Sequence, residues 1–350
     1  MTVSTPDLIA SVDELVRNPN IQRPHVVILG AGASVASCPK GDKNGRRLPT
    51  MDNFLEVLDL ESLLSKYGIE YASENFEDLY SSLYSDARQS SLITEIESRV
   101  HSYFSSLELP DTPTVYDHLL LSLRKKDAIF TFNWDPFLFD AYARNRHFDL
   151  PEIFFLHGNV RAAYCARHIH RWGAPWLKCA ECGADLVPTR LLYPIKEKNY
   201  SANEFIDSSW ENAKWFLTNA FVLTIFGYGA PKSDVVAIET MKTAWHGGKA
   251  GVIERVEIID VKSQDKLYET WSPFIFHHHD DYRKTFYDSY IAHYPRRSCE
   301  ALYAPTAMGR PAERFSIPQD LGFDDLYEWL APISEHDGKL TGGSNSRVGS

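Results

Sequence analysis

Five short apolar runs constrain this chain more than any other feature, because each has the length of a strand and each ends in glycine or polar residues. They are His25–Leu29, ending in Gly30, Ala31, Gly32, Ala33 and Ser34; Asp127–Phe132, ending in Asn133, Trp134 and Asp135; and Glu152–Leu156, which delivers His157. Ala220–Phe226 ends in Gly227, Tyr228 and Gly229 and runs on to Asp234, and Arg255–Ile259 carries Asp260 at its tip. A continuous apolar run, unlike an alternating one, marks a strand buried on both faces, as in a parallel sheet. Polar residues gathered at the carboxyl ends predict a doubly wound α/β domain with a ligand lying across that edge. The missing side chains of Gly30 and Gly32 would let backbone N–H groups approach an anion, favoured by the helix dipole behind them. The same pair also suits an ordinary tight strand-to-helix turn.

Three of the five cysteines fall within residues 165–182, as Cys165-x-x-His168 and Cys179-x-x-Cys182. Two such turns can each offer two ligands to one tetrahedral zinc ion, and four protein ligands leave no open position, so a structural metal is expected. His170 is the alternative to His168. Lys178, Glu181 and Gly183 make the segment a polar knuckle, while Cys38 and Cys299 read as small buried hydrophobes.

Between the runs, residues 51–110 are rich in Leu, Tyr, Phe and acidic residues at helical spacing and read as a helical insertion whose aromatics are core. A helix is expected from about Asn203. At the N-terminus, Asp7–Arg17 reads as a helix capped by Thr5 and Pro6, with Leu8, Val12, Leu15 and Val16 on one side. Residues 266–334 read as a C-terminal segment packing on the core or forming an interface. The tract His277-His278-His279-Asp280-Asp281 within it reads as a solvated helix start, with metal binding or acid–base work as the alternative. Residues 335–350 are expected to be a disordered tail. With 44% hydrophobic residues, 350 residues suffice for a full core, and a net charge of -11 argues against general nucleic-acid binding. No apolar run reaches the roughly 18 residues needed to span a bilayer, and no signal core is evident, so a cytoplasmic protein with reduced thiols is expected.

The ordered set of Gly30-Ala31-Gly32-Ala33-Ser34, Phe132-Asn133-Trp134-Asp135, Leu156-His157-Gly158, two zinc pairs and Gly227-Tyr228-Gly229 resembles the sirtuin (Sir2) fold over residues 24–265. The resemblance implies a Rossmann-like doubly wound sheet that binds NAD, with a zinc-ribbon module at 160–190. It implies that Gly30, Ala31, Gly32 and Ser34 line the phosphates and ribose. Asn133 and Asp135 would sit near the nicotinamide ribose, His157 would be the catalytic base, Gly227 and Tyr228 would approach the phosphates, and Asp260 the adenosine. Two departures shape the expected activity. Leu48-Pro49-Thr50-Met51-Asp52 replaces the family's Ile-Pro-Asp-Phe-Arg, and Val187–Glu197 lacks the segment ending in Phe-Gly-Glu with which deacylases clamp a peptide. The chain therefore looks closer to divergent Sir2-like proteins of bacterial anti-phage defence, which hydrolyse NAD⁺ to nicotinamide and ADP-ribose. That kinship implies a homo-oligomer, or a partner such as a helicase-type ATPase or defence sensor. A protein deacylase and a non-catalytic NAD or ADP-ribose sensor are the alternatives.

The residues support such chemistry independently. Cleaving a glycosidic bond through an oxocarbenium-like ribose needs the sugar held, water excluded and a polar group beside the anomeric carbon. Asn133 can hydrogen-bond water or a ribose hydroxyl without adding charge, and a histidine such as His157 can take a proton near neutral pH. Each also has a plain structural reading, Asn133 as a helix N-cap and His157 as a strand-end residue bonded to a carbonyl.

Overall fold

A computed structural model describes residues 8–70, 75–195, 203–230, 234–246, 253–272 and 280–337. Six strands form one parallel sheet: β1 (His25–Leu29), β2 (Ala128–Thr131), β3 (Glu152–Phe155), β7 (Val222–Phe226), β8 (Arg255–Ile259) and β9 (Asp280–Arg283), in the order β3-β2-β1-β7-β8-β9. The chain works outward from β1 in one direction through β2 and β3, then returns to β7 on the other side of β1 and continues through β8 to β9. A topological switch point therefore falls between β1 and β7, where doubly wound sheets open a crevice at their carboxyl edge. Every residue of β1 and β7 is buried, as an apolar strand covered on both faces must be.

The sixth strand is a correction to the sequence reading. Asp280 and Asp281 lie in β9, paired in parallel with β8, and do not start a helix; His277–His279 lie outside the described residues. An edge strand of two acids followed by two long side chains (Asp280, Asp281, Tyr282, Arg283) carries no apolar run to announce it, and its partners decide it. Arg255 and Arg283 bracket Asp281 at 3.0 and 3.6 Å. The sheet thus continues past residue 265, which falls within the crossover helix Gln264–Trp271.

The N-terminal helix is shorter than expected. It spans Val12–Arg17, with Ser11 Oγ accepting from Glu14 N–H at 3.2 Å; Thr5 and Pro6 lie outside the described residues. Leu8 and Ile9 are exposed, and Ala10 is extended, exchanging backbone hydrogen bonds with Pro311 and Glu313. Ser11 is the better cap because the pairing at Ala10 keeps the preceding residues from coiling.

Four helices, Phe54–Val57, Leu60–Lys66, Phe76–Tyr84 and Ser90–Ser105, lie between the first two strands. The last buries Leu92, Ile96, Val100 and Phe104, a four-residue spacing that puts one stripe on the core. Helix Val115–Leu121 follows and is buried along its whole length. Helix Glu204–Asn219 begins where expected, its first N–H groups capped by Asn203 Oδ1. Strands β4 (Ala163–Tyr164), β5 (Trp172–Gly173) and β6 (Val187–Pro188) form a separate small antiparallel sheet, ordered β5-β4-β6. At the other end of the chain, helix Phe323–Ser334 is followed by Asp337, which both Arg296 and Arg297 bond. The expected tail therefore cannot begin at 335; residues 338–350 lie outside the described residues.

Candidate active site and metal centre

Gly30 follows β1 and Gly227 follows β7, and here the two halves of the sheet come closest. Gly30 N–H donates to Phe226 O and Gly32 N–H to Gly227 O, each at 3.0 Å. Gly227 has φ +61°, and a Cβ there would lie 2.3 Å from Ala33 N, so glycine alone fits. This revises the expected role of the turn. The amides of Gly30, Gly32 and Ala33 are used within the protein, so its glycines serve backbone crossing and do not form a cradle of open N–H groups.

Beside this crossing lies a cavity of about 480 Å³. Gly30, Ala31, Gly32, Ser34, Asn133, Asp135, His157, Gly227, Tyr228 and Asp260 all line it, so the strand ends bring every residue singled out along the carboxyl edge to one space. Leu48–Asp52 form another wall together with Phe54 and Phe104 of the helical insertion, so the segment that departs from the sirtuin pattern also borders the cavity.

The loop after β2 is fixed by a closed network. Asn133 is buried, and its Nδ2 lies 2.8 Å from Gly30 O, 3.0 Å from Ser34 Oγ and 3.1 Å from Tyr116 OH. Gly30 O can only accept, so it fixes Nδ2 on that side and the orientation of the amide is determined. Ser34 Oγ donates to Asp135 Oδ2 at 2.6 Å, and Asp135 Oδ1 accepts from Phe137 N–H at 3.1 Å. Asp135, not Asn133, therefore serves the start of the following helix, which removes the N-cap reading of Asn133. Burial pushes the Asp135 carboxyl up to about 6, against the hydrogen bonds that favour its charge. Asn159 supports the loop from behind, donating to Asp135 O at 2.6 Å, and is itself held by Thr189 Oγ at 3.0 Å.

His157 follows β3 and is buried, its ring edge-on to Phe132 at 4.8 Å. Its Nε2 lies 3.9 Å from Asp234 Oδ1. Tyr116 and Asn159 were not named by the sequence reading, and Asp234 was named only as the end of a polar run, with no role. Asn159 and Asp234 stood beside motifs already noted, but Tyr116 sits in a wholly buried helix whose sequence looks like core.

The metal centre assembles as the spacing implies. Cys165, His168, Cys179 and Cys182 bring their ligand atoms within 4.8 Å of one another. Cys165 Sγ is 3.6 Å from Cys182 Sγ and 3.9 Å from His168 Nδ1, and Cys179 Sγ is 3.5 Å from that nitrogen. Zn–S bonds of about 2.3 Å at tetrahedral angles demand edges of ~3.7 Å, so the donor set fits zinc. Glu181 lies 3.4 Å from His168 Nε2, the outer carboxylate that typically orients a ligating imidazole. The alternative ligand His170 instead faces Glu181 at 3.2 Å. Cys38 and Cys299 are buried as expected, and burial pushes their thiols up to about 12 and about 11.

A doubly wound α/β fold with a crevice at its switch point and a separate four-ligand metal module is the class these features define. No protein-family model and no curated protein matches the chain. Among solved structures it is similar to a mutant Sir2 homologue in complex with ADP-ribose, at 13% identity over 83% of this chain and 93% of that one, with a TM-score of 0.39. It is also similar to a Sir2 homolog–NAD complex, at 14% identity over 83% and 90%, with a TM-score of 0.33. Superpositions this loose carry no inference about chemistry. No helix among the described residues is long and apolar enough to cross a membrane.

Proposed function

We propose that this chain is a Sir2-like NAD⁺ glycohydrolase that converts NAD⁺ and water to nicotinamide, ADP-ribose and a proton. The observation that carries the reading is the meeting of Asn133 and His157 on one cavity at the β1/β7 switch point, beside the Gly30–Gly227 crossing. In this reading Ala31, Gly32, Gly227 and Tyr228 border the phosphates and Asp260 the adenosine end. Asn133 Oδ1 accepts from a ribose hydroxyl or the attacking water. The glycosidic C1′–N bond breaks with its electron pair going to the nicotinamide nitrogen, which cancels the ring's positive charge. Water oxygen bonds to C1′ and its proton passes to His157, then to solvent. Asp135, ionised above about pH 6, and Ser34 hold the Asn133 loop and place negative charge near the developing oxocarbenium ion. Zinc at Cys165, His168, Cys179 and Cys182 would be structural, tying the module whose root carries Asn159 and Thr189.

An NAD⁺-depleting enzyme has to be kept silent until needed. The proposal therefore includes a cytoplasmic anti-phage role and a homo-oligomer or partner ATPase or sensor, which rest on the resemblance alone. The test is nicotinamide and ADP-ribose release from NAD⁺ by the wild type, Asn133→Ala and His157→Ala, with and without acyl-lysine peptide, alongside metal analysis. Peptide-independent release lost in both variants, with one zinc per chain, supports the reading. Release that requires peptide favours a deacylase, and tight ADP-ribose binding without turnover favours a sensor.

A further inference from the structure

The charges around the cavity at the carboxyl edge are lopsided. Five carboxylates line it, those of Asp52, Glu77, Asp135, Asp234 and Asp260, and among the described lining residues Lys262 alone is a lysine or arginine. The glycine turn supplies no counterweight, since the amides of Gly30, Gly32 and Ala33 already donate within the protein. An anionic ligand in this cavity therefore meets one fixed cation, and pairing with it is the favourable electrostatic contact open to a phosphate there.

The backbone that carries Lys262 is pinned on both sides. Asp260 Oδ1 accepts from Lys262 N–H at 2.9 Å, and Asp260 N–H donates to Arg283 O at 3.0 Å. Lys284, next after β9, donates from Nζ to Val261 O at 3.1 Å and also to Lys262 O. The Lys262 side chain then crosses from the loop after β8 to the loop after β7, where its Nζ lies 3.3 Å from the point that a Cβ on Gly229 would occupy. Lys262 is exposed, and its ammonium forms no ion pair among the described residues.

We propose that Lys262 binds the pyrophosphate of the dinucleotide, its ammonium pairing with a phosphate oxygen over Gly229. The proposal rests on the NAD⁺ reading, in which Gly227 and Tyr228 border the phosphates and Asp260 the adenosine end. Gly229 continues the first of these segments and Lys262 the second, so a side chain that joins them falls where the pyrophosphate meets the adenosine. No bond forms or breaks at that end of the ligand. Lys262 therefore acts on binding, equally in the ground and transition states, and not on the chemical step.

The experiment is calorimetric titration of the full chain with ADP-ribose, 2′-phospho-ADP-ribose and adenosine, run on the wild type, Lys262→Met and Lys262→Arg. Lys262→Met keeps the apolar stem and removes the charge, and it should bind ADP-ribose about fivefold more weakly. That loss should shrink at high salt, because an exposed pair is screened. Lys262→Arg should restore most of the affinity, and adenosine, which has no phosphate, should bind all three proteins alike. In nicotinamide release Lys262→Met should raise KM with kcat little changed. Equal ADP-ribose affinity in the wild type and Lys262→Met overturns the proposal and leaves the NAD⁺ reading standing, and so does a loss that is as large for adenosine. A loss confined to 2′-phospho-ADP-ribose puts the ammonium at the ribose and overturns it as well. A wild type that binds no ADP-ribose overturns the NAD⁺ reading, and the proposal with it.

Discussion

His25 and His157 stand at opposite ends of the same parallel sheet, both buried, and their surroundings differ. His25 begins β1 with Nδ1 2.7 Å from Ser298 Oγ and Nε2 2.8 Å from Thr224 Oγ1, and burial drives its pKa down to about 3. Its surroundings at the amino edge are closed ion pairs, Lys126–Asp127 and Arg124–Glu300, with Arg296 and Arg297 sharing Asp337. Arg297 also donates to Leu15 O, Val16 O and Ile333 O, clamping both ends of the chain to the sheet. At the carboxyl edge the polar groups are as deeply placed, yet Asn133, Asp135, His157 and Asp234 all border a cavity. Burial and a perturbed pKa therefore do not by themselves mark a site. The difference is that the amino-edge network is packed against protein, whereas the carboxyl-edge groups border a cavity.

That contrast can be broken most sharply with Arg297→Ala. Removing one partner of a buried pair is expected to cost about 3–5 kcal/mol in denaturant unfolding, while nicotinamide release per folded molecule stays unchanged. A loss of turnover at full stability would erase the distinction between the edges. Next in size is Glu257→Gln, in the body of the sheet. Burial raises Glu257 from 4.5 to about 7, so between those pH values the folded state keeps a proton that the unfolded state has released. Wild-type stability should therefore fall as pH rises through this window, and the variant should gain on it by up to about 3 kcal/mol, as measured by unfolding at pH 5 and pH 8. The smallest effect is expected from Tyr116→Phe, which removes one neutral hydrogen-bonding group at the carboxyl edge. A cost of about 1 kcal/mol should appear as a several-fold loss of nicotinamide release with little change in melting temperature. A drop in melting temperature with full turnover would make Tyr116 an amino-edge kind of residue.

How legible each region was in the sequence follows the locality of its signal. Asn133, His157 and Gly227 were readable because a buried parallel strand leaves a continuous apolar run and the next residue must emerge at the carboxyl edge. The Cys165–Cys182 module was readable because zinc fixes ligand spacing within a turn. The role of the turn glycines stayed open in the sequence, since a Gly-x-Gly looks the same whether its amides meet an anion or, as here, Phe226 O and Gly227 O. Tyr116 and Arg297 gave no warning at all, for Tyr116's partners lie 17 residues away or more and Arg297's distant ones 36 or more.

Five strands of the main sheet, the residues at their tips and the four clustered metal ligands were legible in the sequence alone, through short-range periodicity and spacing. Only the tertiary structure decided that β9 joins the sheet, that the Asn133 amide nitrogen bonds Gly30 O, and that Asp234 faces His157. Those outcomes depend on which groups, distant along the chain, share the remaining hydrogen-bond donors and acceptors once water is excluded.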